Sequence, residues 1–229
     1  MLSSFLDNLR SGVPMTPFDI LVMMLSYAVI LFLCLPVHEL AHALVAHWCG
    51  DDTAKWYGRL TLNPFKHLDV WGTVMILTVG FGYARPVPVN SRNFRNYKRD
   101  MILVALAGPL SNFLMAAVAM FLLRLVLFLG LSGVALNIAY VILYTAVMVN
   151  ISLMVFNLLP IPPLDGSRLW SSLLPGRWAY ALEQYSQYIT IGLMVLIFSN
   201  ALDVPLAYMR GAVVYLLDIL TGWPFLLLK

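Results

Sequence analysis

Charge is scarce in this chain. Of its 229 residues only 11% are Asp, Glu, Lys or Arg, whereas 61% are hydrophobic, and the mean hydropathy is +0.84. Soluble domains carry roughly 25% charged and about 45–50% apolar residues. A water-soluble globule of this size leaves about 30% of its unfolded surface exposed, more than so apolar a chain can cover with polar groups. A soluble enzyme, a nucleic-acid module and a disordered linker are therefore excluded. The net charge of +3 is too small to draw a polyanion, so no nucleic-acid partner is expected. Cysteine is nearly absent too. Cys34 and Cys49 are the two, and the helix between them would hold them about 22 Å apart at 1.5 Å per residue. They cannot pair within one chain, and no disulfide framework follows.

What the chain has instead is long uncharged runs. None of residues 20–37 is charged, and the helical pattern continues through His38, Glu39 and His42 to about Cys49. That is too long for a signal-peptide core, and no small-residue cleavage site follows it. Residues 101–123 and 125–164 are uncharged as well. The second run exceeds one crossing, and Gly130, Ser132 and Gly133 supply a turn, so helices are predicted over about 101–129 and 135–159. Pro160, Pro162 and Pro163 end the second of these. Further spans are expected over 184–202 and 204–222, the last interrupted by Arg210 and Asp218. Arg124 also falls within a span, where it snorkels or pairs with an acid. Residues 70–84, with Gly72, Gly80 and Gly82, fall short of the roughly 20 residues a crossing helix needs. They read as a re-entrant or partly extended element, tolerable only if buried in protein or lining a wet cavity.

The expected fold is thus all-α and polytopic in the lipid bilayer: about five to six membrane helices plus a short re-entrant or extended element. One membrane-embedded domain over 1–229 is expected, with its core over about 18–175 and C-terminal helices over about 184–222. Residues 85–100 carry Arg85, Arg92, Arg95, Lys98 and Arg99, whereas 130–134 carries no Lys or Arg. The positive-inside rule assigns the first segment to the cytoplasm and the second to the outside of a cell membrane. Residues 160–168 then return to the cytoplasmic side.

His38-Glu39-Leu40-Ala41-His42 matches H-E-x-x-H. Residues four apart on a helix share a face, so two imidazoles so placed can grip one metal ion while the intervening carboxylate reaches a metal-bound water. Ionisable groups at membrane depth cost about 2.5–3.5 kcal/mol each on insertion scales and mark function by default. Two histidines satisfied by neighbouring backbone carbonyls are the bland alternative. A catalytic zinc site takes a third protein ligand and keeps an open position. Asp165 is the acidic residue best placed, because its helix descends to the same side as His38 and His42. Alternatively Asp165 is the N-cap of the next short helix. His47 follows His42 by five residues, which turns it to another face, so it is rejected as a ligand.

The His38-Glu-Leu-Ala-His42 run, Gly108-Pro-Leu-Ser-Asn112 and Asn157-Leu-Leu-Pro-Ile-Pro-Pro-Leu-Asp165-Gly together resemble the site-2 protease family of intramembrane zinc metalloproteases. The similarity extends over Gly58-Arg-Leu-Thr-Leu-Asn63-Pro64, His67-Leu-Asp69 and Ala84-Arg-Pro-Val-Pro-Val-Asn90, within about residues 20–175. The resemblance implies one Zn2+ per chain held by His38, His42 and Asp165, with Glu39 as catalytic base. It also implies substrates that are transmembrane helices cut within or near the membrane, and the compact form without a PDZ or CBS domain. Asn112, Asn157 and Asn63 are candidates for the oxyanion or the substrate backbone, with interhelical hydrogen bonding as the alternative. His67 is a candidate interfacial or gating residue, and Pro86-Val-Pro88-Val a candidate edge for an unwound substrate. A divalent-metal transporter and an inactive membrane scaffold are the rival functions. Four histidines, and an uncharged 125–164, fit one buried metal better than a metal pathway.

Overall fold

The computed structural model describes residues 17–79 and 83–226. In chain order the helices are α1 (Pro17–Val29), a π-helical segment (Ile30–Cys34), α2 (Leu35–Trp48), α3 (Thr53–Trp56), α4 (Pro64–His67) and α5 (Val70–Val79). After a 3-10 turn (Ser91–Asn93) come α6 (Tyr97–Phe128), α7 (Gly133–Asn157), α8 (Asp165–Leu173), α9 (Gly176–Gln184), α10 (Ser186–Phe198) and α11 (Asp203–Leu226). Among the described residues the only β pairing is an isolated antiparallel bridge between Leu68 and Ala84. The all-α membrane expectation therefore holds.

Among the described residues four helices are long and apolar enough to cross a membrane, Ile20–Trp48, Tyr97–Phe128, Gly133–Asn157 and Asp203–Gly222, and a shorter apolar helix covers Ser186–Ile197. The run expected over 184–202 is broken, because Tyr185 separates α9 from α10 and the chain leaves the helix after Phe198. At 13 residues, α10 rises only about 20 Å, short of the roughly 30 Å hydrocarbon core. The element expected to be re-entrant or extended is helical over Val70–Val79. Asp69 starts it: its side chain accepts from Gly72 N–H at 2.9 Å and its carbonyl from Thr73 N–H at 2.8 Å, as an N-cap does. Gly80 and Gly82 lie outside the described residues.

Local chemistry explains the main elements. Pro36 has no N–H to give to the turn before it, and the chain absorbs this by widening into the π-helical Ile30–Cys34 just upstream. Asn96 caps α6 by accepting from Arg99 N–H at 3.1 Å, while Asp100 accepts from Asn96 N–H at 2.8 Å. The 32-residue α6 is the central post, packed against α2, α7, α8 and α11. Its buried face carries Ala105, Ala107, Gly108, Ala116 and Ala119, small residues that let neighbouring backbones approach closely in a bilayer. The core joins Ala116 and Ala119 of α6 to Ala146, Val147, Ile151 and Val155 of α7 and Leu217 of α11. Polar contacts tie the first span to α7: Ser26 Oγ lies 3.3 Å from Thr145 Oγ1, and Asn150 Nδ2 donates to Cys34 Sγ at 3.2 Å. Cys34 and Cys49 are both free and buried. Arg124 pairs with Asp218 of α11, and Gly222 makes room for the guanidinium, since a Cβ there would meet Arg124 Nη1 at 2.5 Å.

Candidate metal centre

The H-E-x-x-H spacing puts His38 and His42 on one face of α2, and both are buried, at 5% and 7% exposure. That face meets α6 running antiparallel, since His38 touches Asn112 while His42 touches Val104. Gly108 lies between these two contacts. A Cβ at Gly108 would stand 2.3 Å from His42 Nε2 and 2.6 Å from His38 Nε2, so the helices reach this distance only because the residue is glycine. From the other side comes Asp165, the first residue of α8. Pro160, Pro162 and Pro163 end α7 and turn the chain inward, and Gly166 lets the turn pack against Leu158 and Leu159. A Cβ at Gly166 would meet the Leu159 carbonyl oxygen at 2.2 Å. The N-cap of α8 is Leu164, with no side-chain capping bond. Asp165 is therefore not spent as a cap.

Three donor atoms converge. Asp165 Oδ2 lies 3.1 Å from His38 Nε2 and 3.0 Å from His42 Nε2, and the two Nε2 atoms are 3.1 Å apart. His42 Nδ1 lies 2.7 Å from the Val104 carbonyl, which can only accept, so the proton sits on Nδ1 and Nε2 keeps its lone pair. His38 Nδ1 lies 3.0 Å from the Asn112 amide. The atom placed there is Nδ2, while Asn112 Oδ1 is buried without a partner; turning the amide over lets Oδ1 accept from Nδ1–H, and the second Nε2 then keeps its lone pair too. Two lone pairs and a carboxylate oxygen facing one another without a proton between them repel unless a cation stands among them. Tetrahedral zinc, with bonds of about 2.0–2.2 Å, spaces its ligand atoms roughly 3.3–3.5 Å apart, close to the separations here. The donor set and the gap beside Gly108 fit a zinc ion.

Glu39 lies beside His38, and its Oε2 accepts from Val87 N–H at 3.1 Å. Val87 belongs to an extended strap, residues 84–90, that runs past α2. The Val87 side chain is buried against Ala43 and Ala54. At one end of the strap, Arg85 N–H donates to the His67 carbonyl at 2.7 Å, and at the other Asn90 N–H donates to Asp51 Oδ2 at 2.7 Å. Arg59 Nη2 donates to the Arg85 and Pro86 carbonyls at 2.9 and 3.0 Å. These bonds consume much of the strap's backbone, and Pro86 and Pro88 have no N–H, which blunts it as an edge for an added strand.

The remaining sequence candidates fall elsewhere. Asn112 is fully buried with its amide on His38. Asn63 is exposed and caps α4 by accepting from Phe65 N–H at 3.1 Å, which spends its carbonyl on the backbone. Asn157 is the last residue of α7 and half-buried. His67 is fully buried, with Nε2 2.7 Å from the Thr61 carbonyl, a packed position rather than an interfacial one. His47 pairs with Asp52, away from the three donors. Sequence reasoning missed Arg59, although its position inside Gly58-Arg-Leu-Thr-Leu-Asn63-Pro64 was a signal.

A family model described as Peptidase family M50 matches residues 26–140 and 132–199. The chain belongs to peptidase family M50. It is similar to the provisionally named zinc metalloprotease YwhC of Bacillus subtilis strain 168, at 44% identity over 176 residues, which cover 76% of this chain and 80% of that protein. It is 30% identical over 180 residues to the provisionally named zinc metalloprotease Rip2 of Mycolicibacterium smegmatis, covering 75% of this chain and 65% of that one. For the Rip2 of Mycobacterium tuberculosis strain H37Rv the identity is 29% over 201 residues, covering 82% and 70%. No solved structure matches the chain. As an M50 peptidase with four helices among the described residues fit to cross a membrane, the chain is a site-2-type intramembrane metalloprotease whose cofactor is zinc.

Proposed function

We propose that His38, His42 and Asp165 hold the zinc ion of this M50 peptidase and that Glu39 is its catalytic base, acting on transmembrane-helix substrates. The convergence of the three donor atoms within 3.1 Å of one another carries this reading. The chemistry supplied at such a site is Lewis-acid: acidification of a coordinated water and polarisation of a peptide carbonyl. Glu39 accepts a proton at its carboxylate and returns it to the departing amine. Val104 and Asn112 keep the two imidazoles in the orientation and tautomer that ligation needs. A helical substrate has to unwind locally before a carbonyl is reachable, because its own hydrogen bonds mask it.

The site faces the cytoplasmic side of a cell membrane in this reading. Gly108 follows the basic start of α6, Tyr97-Lys98-Arg99, by only about 16 Å of helix rise, so the donors lie nearer that end than the far one. Residues 1–229 act as one membrane-embedded domain, and the packing of α11 onto α6 and α7 supports this.

The test compares membranes holding the wild-type chain with membranes holding Glu39→Gln, by mapping new protein N-termini. Glu39→Gln keeps all three proposed ligands and removes the base. Products cut near transmembrane segments should vanish in the variant. Identical maps, with both proteins present and zinc-loaded, would refute the assignment.

A further inference from the structure

Arg59 is buried at 6% exposure. Among the described residues it forms no ion pair, and its Nη1 is buried without a hydrogen-bond partner. A guanidinium so placed is costly, and two contacts show where it is used. Nη2 donates to two successive carbonyls of the strap, Arg85 at 2.9 Å and Pro86 at 3.0 Å. The next residue along, Val87, donates its N–H to Glu39 Oε2 at 3.1 Å. Burial and the charge of Arg85 push the Arg59 guanidinium's proton affinity down, while the Glu39 carboxylate opposes them.

We propose that Arg59 is a positioning residue for peptide hydrolysis. By gripping the Arg85 and Pro86 carbonyls it fixes the strap at the height where Val87 N–H holds one oxygen of Glu39, leaving the other oxygen aimed at the reacting centre. This rests on Glu39 being the base. Pro86 and Pro88 serve the same end: they keep the segment extended and offer no competing N–H. Val87 therefore presents the one backbone donor between them. The Val87 side chain, seated on Ala43 and Ala54, sets the strap's distance from α2, and Arg59 sets its position along α2.

The full-length zinc enzyme in detergent, with fluorescein-labelled casein as probe, separates this role from a purely structural one. Four variants are needed besides Glu39→Gln: Arg59→Gln, Arg59→Lys, Val87→Pro and the double variant Arg59→Gln/Val87→Pro. Arg59→Gln should lower kcat by about 10–100-fold, the range for residues that orient a catalytic shell, with KM and bound zinc unchanged. Arg59→Lys keeps a charged donor and should recover part of the loss. Val87→Pro removes the N–H and puts an apolar ring of similar size in place of the isopropyl group on Ala43 and Ala54, in a segment already held extended, and should reproduce the kcat loss. The double variant should be no worse than the worse single one, because both substitutions break one chain of contacts. Deuterium exchange of the 84–90 peptide should rise in Arg59→Gln.

Wild-type kcat in zinc-loaded Arg59→Gln, a loss confined to KM, or additive losses in the double variant would overturn the inference. If Arg59→Gln does not fold, Val87→Pro decides alone, and wild-type kcat there overturns it equally. Glu39→Gln keeps the two levels apart. Activity in that variant defeats the base assignment itself, whereas an inactive Glu39→Gln beside a normal Arg59→Gln defeats only the role of Arg59.

Discussion

Gly108→Ala is the sharpest perturbation of the proposed metal centre, because it adds one methyl group and no charge. The new Cβ would lie 2.3 Å from His42 Nε2, 2.4 Å from His38 Cε1 and 2.6 Å from His38 Nε2. Non-bonded carbons sit at about 3.5–4.0 Å, so the imidazoles have to retreat by roughly 1 Å or α2 has to separate from α6. The rings are not free to move: His42 is tied to the Val104 carbonyl and His38 to Asn112. Overpacking of this kind costs about 1–3 kcal/mol of stability, and a 1 Å misplacement of reacting groups costs about 10²-fold in rate. The methyl group also fills the gap beside the two Nε2 atoms, so zinc affinity should fall together with activity. Metal analysis of purified protein, a zinc titration and casein hydrolysis would measure these effects. Gly192→Ala and Gly211→Ala are the controls, since nothing lies within 4 Å of either new Cβ, and both should keep zinc and activity. Gly108→Ala with wild-type zinc affinity and rate would refute the placement of the metal between α2 and α6.

Other perturbations read the surrounding shell. Asn112→Leu removes the partner of His38 Nδ1 and should weaken zinc binding or activity by about 10–100-fold, whereas Asn112→Asp, which can still accept from Nδ1–H, should lose less. At Asp51 burial raises the carboxyl's proton affinity, but Thr53, Asn93 and the backbone of Asn90 donate to it and hold it below the usual carboxylate range. A lowered folded-state value means that this contribution is complete above the unfolded value of about 3.9. It is lost as pH falls through the folded value. Asp51→Asn should therefore cost about 1–3 kcal/mol at neutral pH, and melting curves of the two proteins should draw together below about pH 4. Wild-type stability in Asp51→Asn at pH 7 contradicts this. Asp218→Ala strands the Arg124 guanidinium against Gly222. A double-mutant cycle with Arg124→Leu should show coupling of about 0.6 kcal/mol and no more than about 1.7 kcal/mol, read from unfolding in detergent, and zero coupling would dismiss the pair as a clamp on α11.

Composition alone determined that this chain belongs in a bilayer, because 11% charged residues cannot cover a soluble globule. Local spacing determined that His38 and His42 share a helix face and that Glu39 stands beside them, since helical periodicity relates neighbours in the chain. The basic stretch 85–100 and the turn near Gly130 were legible for the same reason. The sequence by itself left Asp165 open between ligand and N-cap, and the structure decided for the histidines across 127 residues of chain. It also placed the Asn112 amide against His38. Likewise it spent Asn63 on capping α4, and it made residues 70–79 a helix started by Asp69. Arg59 stood inside the Gly58–Pro64 run with nothing local to say what it grips, and the Val104 carbonyl carries no local signature, because their importance comes from which backbone they meet. Periodicity reports what one segment presents. How closely two segments approach depends on the residues between them, and here the missing Cβ atoms of Gly108 and Gly166 let three distant stretches of chain close around one point.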